Sequence, residues 1–119
     1  MPDTIAAIAT IQAPSAIGIV RLTGPDTHRI LGGVFVPANG RPMSAQTPRR
    51  LVFGRALDRS GGVIDEALAV LFPGPNSYTG EDCAELHCHG SPVVLDEVLA
   101  AVFARGARQA RGGEFTQRA

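Results

Sequence analysis

The order of apolar and polar residues predicts a chain of strands separated by turns and a few helices. Alternating or β-branched apolar runs are typical of strands. The run at 16–22 is apolar on both faces, which indicates a strand covered on both sides. The runs at 50–58 and 63–72 flank the turn sequence RSGG and favour a hairpin. The runs with a strand pattern are 4–10, 16–22, 50–58, 63–72, 83–90 and 107–111.

The clearest helix is predicted over 91–106, where apolar residues recur at helical spacing. Ser91 can cap its start, Pro92 suits its first turn, and Gly106 can end it. Its apolar stripe comprises Val94, Leu95, Val98, Leu99, Val102 and Phe103.

Three other segments complete the pattern. Residues 23–33 predict a turn and a short helix ended by glycine, and 37–50 lack periodicity and predict a surface loop. Residues 112–119 open another helix. Since one turn of helix is not stable alone, we expect the chain to belong to something longer.

These elements predict an α+β fold in which helices pack on a mixed β-sheet. The chain has 119 residues, of which 45% are hydrophobic and 18% charged. That size and composition suit one globular domain spanning 1–119.

Charge and cysteine content narrow the functional classes. Eleven arginines balance eleven acids, and no lysine is present. A neutral chain is not expected to bind nucleic acid by phosphate neutralisation alone, and the absence of lysine excludes a P-loop. No apolar run reaches about 18 residues, and the N-terminus lacks a signal pattern. Cys83 and Cys88 lie too far apart in one strand to form a disulfide, so a cytoplasmic location is expected.

The strand CAELHCHG, 83–90, holds the densest group of reactive side chains. Ala84, Leu86 and Cys88 share one apolar face, because side chains alternate along a strand. Three interpretations of the opposite, ionisable face remain open. It could hold a metal ion, form a hydrated or hydrogen-bonded surface, or line a pocket where Glu85 accepts N–H donors from a ligand. The residues of that opposite face are Cys83, Glu85, His87 and His89.

Two further features favour a pocket. Arg21 lies on an otherwise aliphatic strand face, where a covered charge needs a partner; Glu85, Glu81 or a ligand could supply it, or Arg21 could extend to solvent. The strand end and helix start at Gly90 also favour a ligand or an anion nearby. The turn segment 73–82 could form a wall of the pocket through Tyr78, or be an ordinary long turn.

Five segments together resemble the N-terminal domain of the tRNA-modification GTPase family called MnmE or TrmE. They cover most of the chain, and the central one is the most specific. The segments are DTIAAIAT (3–10), AIGIVRLTG (16–24), FPGPNSYTGEDCAELHCHG (72–90), SPVVLDEVL (91–99) and GGEFTQRA (112–119).

The resemblance implies a module that binds a tetrahydrofolate derivative, 5-formyl- or methylene-tetrahydrofolate, and forms homodimers. It implies a fold similar to the folate-binding module of the glycine-cleavage aminomethyltransferase. The family uses the one-carbon unit to modify the wobble uridine of tRNA, with the flavoprotein MnmG (GidA) as partner. GTP, magnesium and potassium belong to a separate G domain, so this segment alone is expected to have no GTPase activity.

Carried over by position, the folate-contacting residues are Arg21 and Glu85. A third family position, a lysine, would follow Ala119 and is not included in this chain. The resemblance implies no metal, no catalytic residue within 1–119 and no membrane contact. His87 and His89 are then expected to support the site indirectly. A purely structural dimerisation module remains the alternative function, and a zinc-binding enzyme domain is the third.

Overall fold

A computed structural model describes residues 3–9 and 15–119, which form a mixed sheet with two helices packed on one face. The strands are β1 (Ile5–Ile8), β2 (Ser15–Thr23), β3 (Phe35–Pro37), β4 (Val52–Leu57), β5 (Val63–Phe72), β6 (Cys83–Gly90) and β7 (Arg108–Gln109). The helices are α1 (Thr27–Val34), α2 (Pro92–Ala104) and α3 (Glu114–Arg118), with a short 3-10 turn at Met43–Ala45. The break predicted around Pro14 lies outside the described residues.

The described strands form one sheet in the order β3-β4-β5-β6-β2-β1-β7. Neighbouring strands are antiparallel except β1 and β7, which are parallel. The mixed sheet and its packed helices confirm the predicted α+β class. The similarity to the aminomethyltransferase module stays a prediction.

Alternation along the central strands separates a covered face from an open face. Val20 and Leu22 of β2 and Leu86 of β6 are fully buried in the main core, under the helices. Their neighbours Arg21 and Glu85 therefore point to the opposite side of the sheet, which we call the open face. Burying each large aliphatic side chain stabilises the fold by roughly 1.5–3 kcal/mol.

Helix α2 confirms the predicted stripe, because Leu95, Val98, Leu99 and Val102 are buried. Ser91 occupies the N-cap position as predicted, but its side chain makes no capping hydrogen bond. Its carbonyl instead accepts the Leu95 N–H at 3.0 Å. Pro92 lacks an N–H, so this position in the first turn has no backbone donor that would need a partner.

Helix α1 does not end at glycine as predicted. It continues through Gly32 and Gly33 to Val34, because Leu31 and Val34 both pack into the core. Phe35 then turns directly into β3, a strand that the sequence pattern did not predict.

The predicted hairpin is confirmed, with β4 and β5 paired from Val52↔Ala69 to Leu57↔Val63. The strand runs predicted at both chain ends are shorter than expected. Within the predicted loop 37–50, the buried Met43 anchors the 3-10 turn to the core. None of the helices in the described ranges has the length and apolar content needed to span a bilayer.

Candidate binding site on the open face

Arg21 and Glu85 lie directly opposite each other on adjacent strands β2 and β6. Arg21 Nε donates to Glu85 Oε2 at 2.9 Å, and Arg21 Nη2 lies 2.8 Å from the same oxygen. Both residues were predicted to belong to one site, and the sheet register brings them together. Of the partners considered for Arg21, the one that the structure shows is Glu85.

His87 contacts the other oxygen of the Glu85 carboxylate, since its Nε2 lies 2.8 Å from Glu85 Oε1. Burial alone would raise the pKa of the Glu85 carboxyl, but hydrogen bonds from His87 and Arg21 hold its pKa below the ordinary value. Glu85 is thus an ionised acceptor whose two oxygens are already in use. A ligand with paired N–H donors must share these oxygens or displace a neighbour.

The turn segment between β5 and β6 forms a wall beside this pair. Asp82 Oδ1 accepts the Gly74 N–H at 2.9 Å, and Ser77 Oγ donates to the Glu81 carbonyl. Arg49 braces the segment from outside by donating to the Asn76 carbonyl at 2.9 Å. These bonds hold Tyr78 at the surface, where it was expected to form a wall.

A buried group of hydroxyls and a thiol lies under this wall. Thr23 Oγ1 is 2.6 Å from Thr79 Oγ1 and 3.2 Å from Cys83 Sγ. Thr23 Oγ1 also donates to Glu81 Oε1 at 3.1 Å. The group ties β2, the turn and β6 together and fixes Cys83 in place.

Helix α3 closes another side through its acidic first residue. Glu114 is only 3% exposed, and Arg108 Nη2 and the Arg111 N–H donate to its carboxylate at 2.6 and 2.9 Å. Hydrogen bonding to Arg108 and to the Arg111 backbone lowers the pKa of Glu114 to about 2. Arg118, one turn later, binds Asp3 Oδ1 at 2.6 Å, so α3 is fastened to the start of the chain.

These elements enclose a cavity of about 370 Å³. Its volume falls within the range of small-molecule sites. It combines one ion pair with three aromatic rings, from the end of β5, the turn segment and α3. The lining residues are Arg21, Phe72, Tyr78, Cys83, Glu85 and Phe115.

Tyr78 Oη lies 3.3 Å from Thr116 Oγ1, so the turn segment and α3 meet across the opening. Sequence reasoning did not find Phe72 or Phe115. Phe72 is the last residue of a strand, and its inward direction follows from alternation. Phe115 had no such signal, because its helix is positioned by the long-range bonds of Arg108 and Arg118 to Asp3.

The Arg21–Glu85 cavity does not lie near Gly90, where a pocket was expected. A separate groove of about 380 Å³, lined by Ile17, His87 and His89, lies at that end of β6. Arg21 and Glu85 meet near the start of β6, whereas Gly90 ends that strand. The reason is that β2 and β6 are antiparallel, so the carboxyl-end rule for parallel strands does not apply. His89 instead pairs with Asp65, Nδ1 to Oδ1 at 2.8 Å. Across residues 3–9 and 15–119, no three acid, histidine or cysteine side chains converge in a way that could hold a metal ion.

This geometry defines the class of the protein. It is an α+β sheet domain with a cavity on one face that contains an ion pair and aromatic side chains. The sequence profile described as GTP-binding protein TrmE N-terminus matches residues 4–119. The chain therefore belongs to this family, as the five segments indicated.

Three relatives named tRNA modification GTPase MnmE show the extent of the similarity. Those of Roseiflexus sp. (strain RS-1) and Pseudomonas aeruginosa (strain UCBPP-PA14) are each 50% identical over 117 residues. That of Bacteroides fragilis (strain YCH46) is 48% identical over 118 residues. Each match covers 98% of this chain but only 24–25% of the relative, so the chain spans about a quarter of their length.

Proposed function

We propose that this domain binds a reduced folate, 5-formyl- or methylene-tetrahydrofolate, in the cavity on the open face. The observation that carries the proposal is the Arg21–Glu85 ion pair inside a cavity with three aromatic side chains. A pterin ring is flat and carries neighbouring N–H donors, so it matches a carboxylate set between aromatic walls.

Glu85 would accept N–H bonds from the pterin ring, because its depressed pKa keeps it ionised at neutral pH. Arg21 would donate to a carbonyl or carboxylate of the ligand. Its side chain is 35% exposed, against 16% for Glu85, so it has room to turn from Glu85 toward a ligand. Phe115 would cover one face of the ring.

We also propose that two copies of this domain pair through the open face. A groove there is lined by Ile17, Phe53 and Leu68 beside His87 and His89 of β6. Ile17 and Phe53 are both more than half exposed, and contiguous exposed apolar side chains indicate an interaction surface. A second copy suits this groove because the apolar side chains of one sheet face can pack against the same face of another.

In the longer protein, this domain would present the one-carbon donor for tRNA modification in the cytoplasm. The printed names of the relatives support that setting. The flavoprotein MnmG would be the partner enzyme, and GTP with magnesium and potassium would act in a separate G domain. No group in this domain is assigned a catalytic role.

The test is calorimetric titration of 5-formyltetrahydrofolate into the chain. We expect saturable binding that Glu85→Ala weakens at least about 100-fold, since it removes charge-assisted bonds worth roughly 1.5–3 kcal/mol each. Arg21→Ala should weaken binding at least about 10-fold, and Phe115→Ala by a similar factor through lost ring contact.

Glu97→Gln is the matched control, because Glu97 is exposed on α2 at the helix-covered face. A wild-type chain that forms dimers without binding folate would support the alternative, a purely structural dimerisation module. Unchanged affinity in Arg21→Ala would remove the role of that residue.

A further inference from the structure

The neutral net charge conceals a strong separation of charge along the chain. Residues 35–62 contain five of the eleven arginines but one of the eleven acids, a local charge of +4. The other six arginines and ten acids leave −4 elsewhere. Whole-chain neutrality therefore does not exclude a basic surface on the segment that contains β3 and β4.

The arginines of this segment also differ from the others in their partners. Outside it, five of the six arginines form ion pairs with carboxylates, for example Arg21 with Glu85 and Arg108 with Glu114. Within it, no arginine forms such a pair in the described part of the chain. Its single acid, Asp58, accepts the Ser60 and Gly62 N–H groups at 2.9 Å within its own turn.

Two of these arginines without a carboxylate partner, Arg41 and Arg50, line one open cleft of about 350 Å³, where Arg41 Nη2 donates to the Ala45 carbonyl at 3.2 Å. The lining includes the amides of Asn39 and Gln46 and the hydroxyl of Thr47, but no carboxylate. The cleft therefore has a positive charge that no neighbouring acid in it neutralises. This property distinguishes it from the folate cavity, where Glu85 balances Arg21.

The cleft is held in shape by its own polar side chains. Asn39 and Gln46 exchange two hydrogen bonds of 3.0 and 2.9 Å. Gln46 also donates to the Arg41 carbonyl at 2.8 Å, and Asn39 Oδ1 accepts the Arg41 N–H at 3.0 Å. A braced loop presents its guanidinium groups at lower entropic cost than a mobile one.

We infer that this Arg41–Arg50 cleft binds the phosphate backbone of a single-stranded RNA segment. Guanidinium groups suit phosphates because they donate paired N–H bonds. Side-chain amides and hydroxyls add the polar contacts that accompany phosphates and sugars. Phe53 is half-exposed and lies where the cleft adjoins the apolar groove, and an unpaired base would stack on the part of its ring that faces the cleft.

An RNA ligand is favoured over other anions by the family to which the chain belongs, whose members are named for tRNA modification. The inference extends the proposed function, since it assigns a tRNA contact to this domain. Its test is independent, because the folate cavity and the cleft share no lining residue.

The experiment measures fluorescence anisotropy of a labelled single-stranded RNA of about 12 nucleotides. The 119-residue chain is titrated in at about 50 to about 200 mM salt. We expect the logarithm of the association constant to fall linearly with the logarithm of salt concentration. Arg41→Ala with Arg50→Ala should weaken binding at least about 10-fold and reduce the slope by about 1.4, since each lost phosphate contact on a single strand contributes about 0.7.

Two sets of variants separate a local site from general charge. Arg59→Ala with Arg105→Ala removes the same charge from exposed positions outside the cleft, and should change affinity less than about 2-fold. Arg41→Lys with Arg50→Lys keeps the charge and should retain most of the binding and the slope. Circular dichroism and folate titration of each variant show that the fold and the cavity are intact.

Three outcomes would overturn the inference. These are a wild-type chain that does not bind the RNA, equal losses in the cleft and control pairs, and an unchanged salt slope in the cleft pair. An acidic peptide that competes as strongly as RNA of equal charge would assign the cleft to a protein partner instead. Inorganic phosphate is the second competitor. If it displaces the labelled RNA as well as unlabelled RNA does at an equal concentration of phosphate groups, the cleft is assigned to small phosphorylated ligands.

Discussion

Single residues that do not line the cavity determine its shape, and Glu114 is the main example. Its carboxylate is nearly inaccessible to solvent, yet it receives bonds from Arg108, Arg111 and Arg118. These bonds hold a helix of only five residues that would not form alone. Since Phe115 follows directly, the acid determines where an aromatic wall of the cavity stands.

The lowered pKa of Glu114 makes this attachment dependent on pH. Its pKa is about 2 in the fold, against an ordinary value of 4.5. Between these values the unfolded chain binds a proton that the folded chain does not, so stability falls as the pH falls. The contribution is complete above about pH 4.5 and is lost toward about pH 2.

We expect Glu114→Gln to be less stable than the wild type at pH 7 and to lose less stability on acidification. The measurement is the urea midpoint at several values between about pH 7 and about pH 2.5. Carboxylates that lie apart from this cluster, such as Asp58, act in both proteins, so the difference reports Glu114 together with Asp3, which shares Arg108 and Arg118 with it. Glu97→Gln should follow the wild type, and parallel curves for Glu114→Gln would contradict the assignment.

At the level of elements, the sequence predicts what short-range order determines. Strand β6 was predicted with its observed bounds, 83–90, because alternation runs between two turn signals. Strand β3 was missed because three residues carry too little periodicity, and pairing with β4 defines it. Helix α1 passed the glycines because packing of Val34 outweighs the weak helical preference of glycine.

The Arg21–Glu85 pair shows the same contrast between local pattern and tertiary structure within the site. Alternation placed each residue on a face of its own strand, but the register Arg21↔Glu85 depends on the whole sheet. The sequence left Glu85, Glu81 or a ligand as the partner of Arg21, and the family resemblance assigned Arg21 and Glu85 to one site without pairing them. Phe115 depends on the bonds of Arg108 and Arg118 to Asp3, at the other end of the chain, which no local pattern encodes.

Two glycines test this distinction between local preference and tertiary packing. Gly54 lies where β4 passes β3, and an added Cβ would stand 2.2 Å from the Val36 carbonyl oxygen. Gly54→Ala should therefore lower the free energy of unfolding by about 1–3 kcal/mol. Gly32, inside α1, has no atom within 4 Å of an added Cβ, and Gly32→Ala should raise it by about 0.5–1 kcal/mol.

Urea unfolding of both variants checks the pair of predictions. Opposite signs are expected, because one position is crowded by a neighbouring strand and the other is limited only by helix propensity. A stabilising Gly54→Ala would show that β3 moves away without cost. A destabilising Gly32→Ala would show that the end of α1 is not helical in solution.

At the scale of the whole molecule, the two faces of the sheet differ in what they leave exposed. Helices α1 and α2 bury one face, while the open face carries the cavity and an apolar groove of about 380 Å³ beside it. On the proposed pairing of two copies, the groove is the contact. The Arg41–Arg50 cleft would then lie at the rim of the dimer, since Phe53 lines both the groove and the cleft.

Leu68 provides the decisive variant because it lies between Phe53 of β4 and His87 of β6 on that face. Leu68→Arg would place two like charges across a two-fold interface without partners, which is strongly unfavourable. We expect sedimentation velocity to show a dimer for the wild type and at least about a 100-fold weaker association for the variant. Val93→Arg, on the exposed surface of α2, should remain dimeric. If both variants stay dimeric, the open face is not the contact, and the two cavities would not face each other across a dimer.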